Sequence, residues 1–141
     1  MPEVVRSVEI KAPPSVVWRW LASQEALRRW VGSDLEIDLR MGGSYRMSSE
    51  GTWISGTVLD IVPEGALVLS WFEEGGDWVH PARLVIELRP IRSGAQVTVS
   101  HDGFAGIGKP GWPGTVEAYQ RGADRHRISE RLRDLVVADA G

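Results

Sequence analysis

Residues 4–18 read VVRSVEIKAPPSVVW, an alternating segment that runs directly into the start of a helix. In its first part, Val4, Val8 and Ile10 share one face of a strand, because successive side chains of a strand point to opposite sides. The two prolines at 13–14 then end the strand and preset the first turn of a helix, where a missing N–H costs nothing. The stretch therefore predicts a strand followed at once by a helix.

Two short helices are predicted before the chain returns to strands. The apolar face of the first consists of Val17, Trp18 and Leu21. Ser23 can cap a second helix over residues 24–31, since its hydroxyl can accept a free N–H of the first turn. The buried side of that helix would carry Leu27 and either Trp30 or Val31. We expect Trp18 and Trp30 to be core residues.

From residue 34 onward the pattern changes to alternation of apolar and polar residues, which is typical of strands. Six such segments follow, at residues 35–40, 44–48, 53–62, 66–72, 83–89 and 96–100. Turn signals separate them, among them Gly42-Gly43, Pro63-Glu64-Gly65 and Gly75-Gly76. With the first strand they make seven. Residues 104–113 hold three glycines and two prolines and predict a loop, whereas residues 115–138 predict one long helix.

Composition narrows the functional classes. The chain has 141 residues and a formal net charge of −3, which argues against a nucleic-acid binder, and 141 residues fit a single domain over 1–141. No cysteine is present, so disulfides and thiolate chemistry are excluded. Neither a leader nor a run of 18 apolar residues is found, which predicts a cytoplasmic protein without a membrane span.

Known catalytic and metal-binding patterns are missing from the sequence. His80, His101 and His126 lack the spacing of metal ligands, and no phosphate-binding loop or nucleophile elbow occurs. The glycines at 103, 106 and 108 do not follow the dinucleotide fingerprint. We therefore predict no metal and no cofactor. Gly106-Ile107-Gly108 is instead expected to form a mobile loop at the entrance of a cavity.

The order of these segments resembles the family of heat-shock-protein-90 ATPase activator homologues, within the superfamily of birch-pollen-allergen-like and START-related domains. The resemblance covers residues 4–125 and rests on many weak positions taken in order. They are Ile10, Ala12, Pro13, Val17, Trp18, Leu27, Trp30, Asp38, Gly42, Gly43, Tyr45, Gly56, Pro63, Leu67, Trp71, Val97, Thr98, His101, Gly103, Phe104, Gly111 and Trp112. The resemblance implies an α+β helix-grip fold, in which a curved seven-stranded antiparallel sheet wraps around a long C-terminal helix.

This resemblance also implies a cavity, since members of the superfamily enclose apolar ligands between sheet and helix. Seven tryptophans are more than an ordinary core of this size requires, so some are expected to line a space. A packed core ring remains the simpler explanation for any single one. The candidate ligand-binding residues are Tyr45, Trp53, Trp71, Trp78, Ile86, His101, Phe104, Trp112 and Tyr119.

Three polar residues fall on inward-facing positions of strands. His101 shares a face with Val97 and Val99, and it is either a polar handle for a ligand or a structural histidine hydrogen-bonded to its neighbours. Arg6 lies on the inward face of the first strand, where it can sit at a cavity mouth or at an exposed strand end. Asp60 has the same two explanations.

Three functions fit this pattern. The first is a soluble binding protein that encloses a small hydrophobic or aromatic molecule. The second is a small enzyme of the cyclase or dehydratase kind that uses an inward His101, Tyr45 or Tyr119, with His101 the candidate catalytic residue. The third, a co-chaperone-like interaction module, rests only on the family name. We expect a binding protein rather than an enzyme.

Residues 127–141 extend the chain beyond the usual end of the family's final helix. On a helical wheel, Val116 and Tyr119 lie nearly opposite Leu132 and Val136, so one straight helix cannot bury both stripes against one sheet. One explanation is a homodimer in which the second stripe packs on a partner subunit. The other is a bend near Gly122 that folds the tail onto its own domain.

Overall fold

The seven strands form one antiparallel sheet in which the first strand pairs with the last. The structure is a computed structural model that describes residues 3–140, apart from the side chains of Arg125 and Ala140. The strands are β1 (Val4–Ile10), β2 (Glu36–Ile37), β3 (Ser44–Ser49), β4 (Thr52–Val62), β5 (Ala66–Glu73), β6 (Ala82–Ile91) and β7 (Gly94–Asp102), in the order β1-β7-β6-β5-β4-β3-β2. The predicted helix-grip fold and its seven strands are confirmed.

Within residues 3–140, four helices complete the fold, and the longer two cover the inner face of the curved sheet. They are α1 (Pro14–Trp18), α2 (Gln24–Arg28), α3 (Trp112–His126) and α4 (Ile128–Ala140), with a short 3₁₀ turn at Phe104–Gly106. The apolar face of β1 lies in the core, because Val4, Val8 and Ile10 are all buried. None of the helices in the described part of the chain is long and apolar enough to span a membrane.

The first two helices form as the capping pattern predicts. Pro13 precedes α1 in an extended conformation, and the Ser23 hydroxyl accepts the N–H of Ala26 at 3.1 Å at the start of α2. Of Trp30 and Val31, the two alternatives predicted for the buried side of the second helix, Trp30 is the one that is fully buried. Its indole N–H donates to the backbone carbonyl of Trp20 at 2.9 Å. Burial of a tryptophan is thus achieved without leaving its N–H unpaired.

The second strand is shorter than the alternation at residues 35–40 predicts. Only Glu36 and Ile37 pair with β3, because the chain turns immediately afterwards. In that turn the N–H of Arg40 donates to the carbonyl of Asp38 and the N–H of Gly43 donates to the carbonyl of Arg40. Local hydrogen bonds of the turn therefore replace the rest of the predicted ladder.

Gly56 lets the Tyr45 ring cross β4. The two residues are paired in register, and the Tyr45 hydroxyl donates to the backbone carbonyl of Ser70 on the next strand. A Cβ at position 56 would lie 2.2 Å from that carbonyl oxygen and 2.7 Å from the Tyr45 ring. Only glycine leaves the space that this crossing requires.

The C-terminal region is broken at Arg127, where the backbone adopts a left-handed conformation (φ 50°, ψ 50°) and its N–H donates to the carbonyl of Ala123. Such a residue ends a helix and redirects the chain. Leu132 and Val136 of α4 are then fully buried against β1 and β7 of the same chain. The tail therefore folds onto its own domain, but the break lies at Arg127 and not near Gly122.

The substitution Gly56→Ala tests the crossing of Tyr45. We expect it to lower the free energy of unfolding by about 1–3 kcal/mol, because the added methyl group overlaps backbone atoms that cannot move aside. Gly114→Ala is the control, since position 114 lies in α3 with no heavy atom near the added Cβ. Denaturant unfolding of both variants makes the comparison, and an equal effect would contradict this account of Gly56.

Two adjacent valines test the packing of α4, because Val136 is 1% exposed and Val137 is 52% exposed. We expect Val136→Ala to lower the free energy of unfolding by about 2 kcal/mol and Val137→Ala by less than about 0.5 kcal/mol. The loss should be the same at low and high protein concentration, since the contact lies within one chain. A concentration-dependent loss would instead place the stripe at a subunit interface.

Candidate functional site

A cavity of about 590 Å³ lies between the inner face of the sheet and the helices α3 and α4. Its size falls in the range that small-molecule sites occupy. The apolar part of its wall is formed by strand residues Val4, Met47, Ile54, Leu84 and Val99. Its rim consists of polar side chains, among them Ser49, Thr52, Arg121 and Arg131. The cavity thus has an apolar wall and a polar rim.

Three polar side chains of the wall form one hydrogen-bonded chain. The indole N–H of Trp71 donates to the Tyr119 hydroxyl at 2.8 Å, and that hydroxyl donates to a Glu73 carboxylate oxygen at 2.7 Å. Trp71 and Glu73 lie two residues apart on β5, so both point to the inner face, and Tyr119 reaches them from α3. The chain ties the final helix to the centre of the sheet.

The Tyr119 phenol is held in its protonated form. Burial raises its pKa above the usual value, and the hydrogen bond to Glu73 raises it further, whereas the bond from Trp71 acts in the opposite direction. Its ring lies 5.2 Å from the rings of both His101 and Phe104. Tyr119 therefore serves as a neutral donor to Glu73 within an aromatic cluster.

His101 lies in the same wall, at the end of β7. In register it pairs with Val4 of β1 and Leu84 of β6, and its ring meets the edge of Trp71 at 4.6 Å. Burial lowers the pKa of His101 to about 4, and the neighbouring Asp102 offsets only part of this. Its Nδ1 is buried and has no hydrogen-bond partner among the described residues. His101 is therefore a neutral imidazole near pH 7, and its Nδ1 makes none of the hydrogen bonds expected of a structural histidine.

Contacts between charged and polar side chains join α3 to the sheet and its turns at the cavity rim. The Arg6 guanidinium donates to the Asp124 carboxylate at 2.7 Å, which connects β1 to α3. On the opposite side, His126 Nε2 lies 3.5 Å from an oxygen of Glu50, which is in the β3–β4 turn. Arg6 lies at the cavity mouth, which is one of the two positions predicted for it. Asp60 is half-buried beside an irregularity of β4 and does not line the cavity.

Of the nine predicted ligand-binding residues, the structure brings three together at the cavity, and they are Trp71, His101 and Tyr119. The other six do not line it. Tyr45, Ile86 and Phe104 are buried in the core, where their side chains fill space instead of bounding it. Trp78 is buried between the rings of Phe72 and Phe104, with ring centroids 6.3 Å away in each case.

The last two of these six lie near the surface or at a helix end. Trp53 is 44% exposed on the outer face of the sheet, where the Arg46 guanidinium stacks 4.0 Å from its ring. Trp112 begins α3 and packs, half-buried, against the core. A tryptophan count indicates that a protein has unusual apolar volume, but the count does not show which rings border the empty part.

Glu73 is the polar wall residue that sequence reasoning missed. The signal was present, because Leu67, Leu69 and Trp71 alternate along β5 and the same period of two places residue 73 on the inner face. The prediction ended the strand at residue 72. Met47 and Ile54 lie beside Glu73 in register across β3 and β4.

Contrary to the prediction from the sequence, the Gly106–Gly108 segment does not form the entrance of the cavity. None of these residues lines the cavity, and Ile107 is fully buried. The Ile107 carbonyl accepts the N–H groups of Val79 at 2.7 Å and His80 at 3.1 Å. These two backbone hydrogen bonds fix the segment to the loop before β6. Among the described residues, no cluster of His, Asp and Glu could hold a metal ion.

The depressed pKa of His101 predicts a pH-dependent stability. Between about pH 6.5 and pH 4 the unfolded chain binds a proton at this residue that the folded protein excludes, so stability falls as the pH falls through this window. We expect a loss of about 3 kcal/mol at most. His101→Gln should flatten the pH profile of the unfolding free energy, and His80→Gln, at an exposed position, should not. If the wild-type protein and His101→Gln had the same pH profile of unfolding free energy, His101 would not be protected from protonation in the folded state.

Comparison with solved structures agrees with the fold. A protein of Mesorhizobium loti, MLL2253, superposes with a TM-score of 0.80 at 19% identity, covering 96% of this chain and 97% of that one. DynU16, a protein from the dynemicin biosynthetic locus, gives 0.75 at 21% identity over 95% of this chain but 46% of its own. The Aha1 dimer from Colwellia psychrerythraea gives 0.62 at 15% identity, covering 92% and 98%.

No curated protein sequence matches the chain significantly. A family profile does match, over residues 11–119. The matched segment runs from the end of β1 to Tyr119, and it therefore includes Trp71, Glu73 and His101 of the cavity wall. Since the match spans well over half of the 141 residues, the chain belongs to the family described as activator of Hsp90 ATPase homolog 1-like protein.

Proposed function

We propose that the protein binds a small hydrophobic or aromatic molecule in the cavity between its sheet and its C-terminal helices. The observation that carries this proposal is a cavity of about 590 Å³ with an apolar wall and one localised polar cluster, a combination typical of small-molecule sites. The apolar wall supplies affinity by removing ligand surface from water. The Trp71–Tyr119–Glu73 chain and His101 supply the few polar contacts that fix orientation.

In this proposal residues 1–141 act as one ligand-binding domain in the cytoplasm. Residues of a single chain line the cavity from β1, β3 to β7, α3 and α4, so the function needs no second subunit. The relative from Colwellia was solved as a dimer. A homodimer of this chain through residues 127–141 would have to use a surface other than the buried stripe of Leu132 and Val136.

An enzyme acting on the same molecule is the second candidate, because Glu73, Tyr119 and His101 converge on one cavity. The pKa shifts make it the weaker one. His101, with its pKa lowered to about 4, is a poor base near neutral pH, and Tyr119, with its pKa raised, is a poor acid. The Tyr45 hydroxyl, the third group considered, points to the Ser70 carbonyl outside the cavity.

Native mass spectrometry of the protein purified from its own organism is the direct test. A retained apolar compound, identified after extraction, would support the binding function and name the ligand. We then expect long-chain aliphatic probes to change the intrinsic fluorescence, since Trp71 borders the cavity. Trp71→Phe should remove most of this change, whereas the exposed control Trp53→Phe should keep it.

Two outcomes would contradict the proposal. An empty protein whose fluorescence ignores every probe would mean that the cavity is not a binding site. A fluorescence change that survives in Trp71→Phe would place the probe elsewhere. Turnover of a bound compound that is lost in His101→Gln would move the enzyme candidate to first place.

A further inference from the structure

We propose that the ligand of this cavity carries a hydrogen-bond donor, in the form of a primary ammonium group on an apolar body, that binds the carboxylate of Glu73. This inference rests on the proposed binding function and assigns the chemical class of the ligand's polar end. It follows from the donors and acceptors that the wall leaves available.

The two donors of the Trp71–Tyr119–Glu73 chain are already used within the protein. Trp71 has a single N–H, which goes to Tyr119, and Tyr119 has a single O–H, which goes to Glu73. Neither residue has a further proton to offer a ligand. A ligand whose polar end only accepts hydrogen bonds would therefore find no donor in this chain of three residues.

The acceptor capacity of the cluster is, in contrast, largely free. A carboxylate can accept about four hydrogen bonds, and Glu73 receives one from Tyr119. Among the residues that the structure describes, no Arg, Lys or His side chain lies within ion-pair distance of Glu73. Glu73 thus has a hydrogen-bond donor but no counter-charge within the described part of the chain.

The adjacent residue, Glu74, shows that the lack of a counter-charge at Glu73 belongs to the cavity side of the sheet and not to this part of the chain. Glu74 points to the outer face, where Arg46 pairs with it at 3.0 Å and holds the pKa of its carboxyl below the usual value. At the rim, Arg6 is in turn paired with Asp124. Glu74 has an intramolecular cation, whereas Glu73 has none among the side chains that the structure describes.

The surroundings of Glu73 suit an apolar body with a cationic end. Met47 and Ile54 lie beside it in register, and the aromatic rings of Trp71 and Tyr119 adjoin it. Aromatic faces attract cations, and a hydrogen bond between ammonium and carboxylate is stronger than a neutral one. His101 adds no positive charge nearby, because it is neutral near pH 7. The cationic residues Arg121 and Arg131 lie on the helices at the rim and would favour an anionic ligand instead.

Three probes with the same alkyl body and different ends separate these alternatives, and they are n-decylamine, n-decanol and n-decanoate. We expect isothermal titration calorimetry at neutral pH to show n-decylamine binding about tenfold more tightly than n-decanol, with n-decanoate weakest. Glu73→Gln should remove the preference for the amine and keep the affinity for the alcohol. Glu74→Gln, the matched control on the outer face, should keep both.

The outcomes for the ligand class and for the binding function are distinct. Equal binding of amine and alcohol, or tightest binding of n-decanoate, would overturn the inference about Glu73 and leave the binding function intact. An amine preference that persists in Glu73→Gln would also overturn it. Failure of all three probes to bind would count against the cavity as a binding site altogether. The comparison of head groups needs no variant, so it holds even if Glu73→Gln does not fold.

Discussion

The antiparallel pairing of β1 with β7 is the contact on which the rest of the structure depends. It joins the start of the chain to its last strand, from Val4 opposite His101 to Ile10 opposite Ala95. Because of it, β1 forms an edge of the sheet against which α4 packs, and Arg6 faces Asp124 of α3. The two short helices between β1 and β2 are thereby confined to the connection. A pairing between such distant segments costs chain entropy, which the buried face of β1 offsets.

Both α3 and α4 pack against the sheet. Aromatic side chains fill one part of the space, where the Trp78 ring makes edge contacts with Phe104 and Tyr119. The break at Arg127 turns α4 away along β1, and the cavity lies beneath this junction, bounded by Ile128 and Gly122 among others. The geometry of the helix break thus determines the cavity as much as the size of the wall residues does. A straight helix would bury a different stripe of the C-terminal region.

The polar cluster fits the proposed ligand-binding function better than it fits proton transfer. The groups that carry protons are fixed in their neutral forms by burial, since Tyr119 has a raised pKa and His101 a lowered one. The hydrogen bonds all run in one direction, from Trp71 through Tyr119 to Glu73. An arrangement of this kind presents a fixed acceptor to whatever enters the cavity. Preorganised polar groups on rigid strands give orientation at little cost in entropy.

The sequence by itself determined the seven strands, the first two helices and the family, because strand and helix periodicity, proline positions and caps act over a few residues. Such local signals are Pro13 and Ser23 at the helix starts, and the alternation of apolar and polar residues along β1 and β7. It also placed His101 on the inner face. The sequence did not determine which inward side chains border empty space, since Ile86 and Leu84 share one strand face and only Leu84 lines the cavity. That difference depends on where α3 and α4 lie, and contacts between distant segments fix their position. For the same reason the bond from Tyr119 to Glu73, the exposure of Trp53 and the turn of the chain at Arg127 were decided only by the tertiary structure.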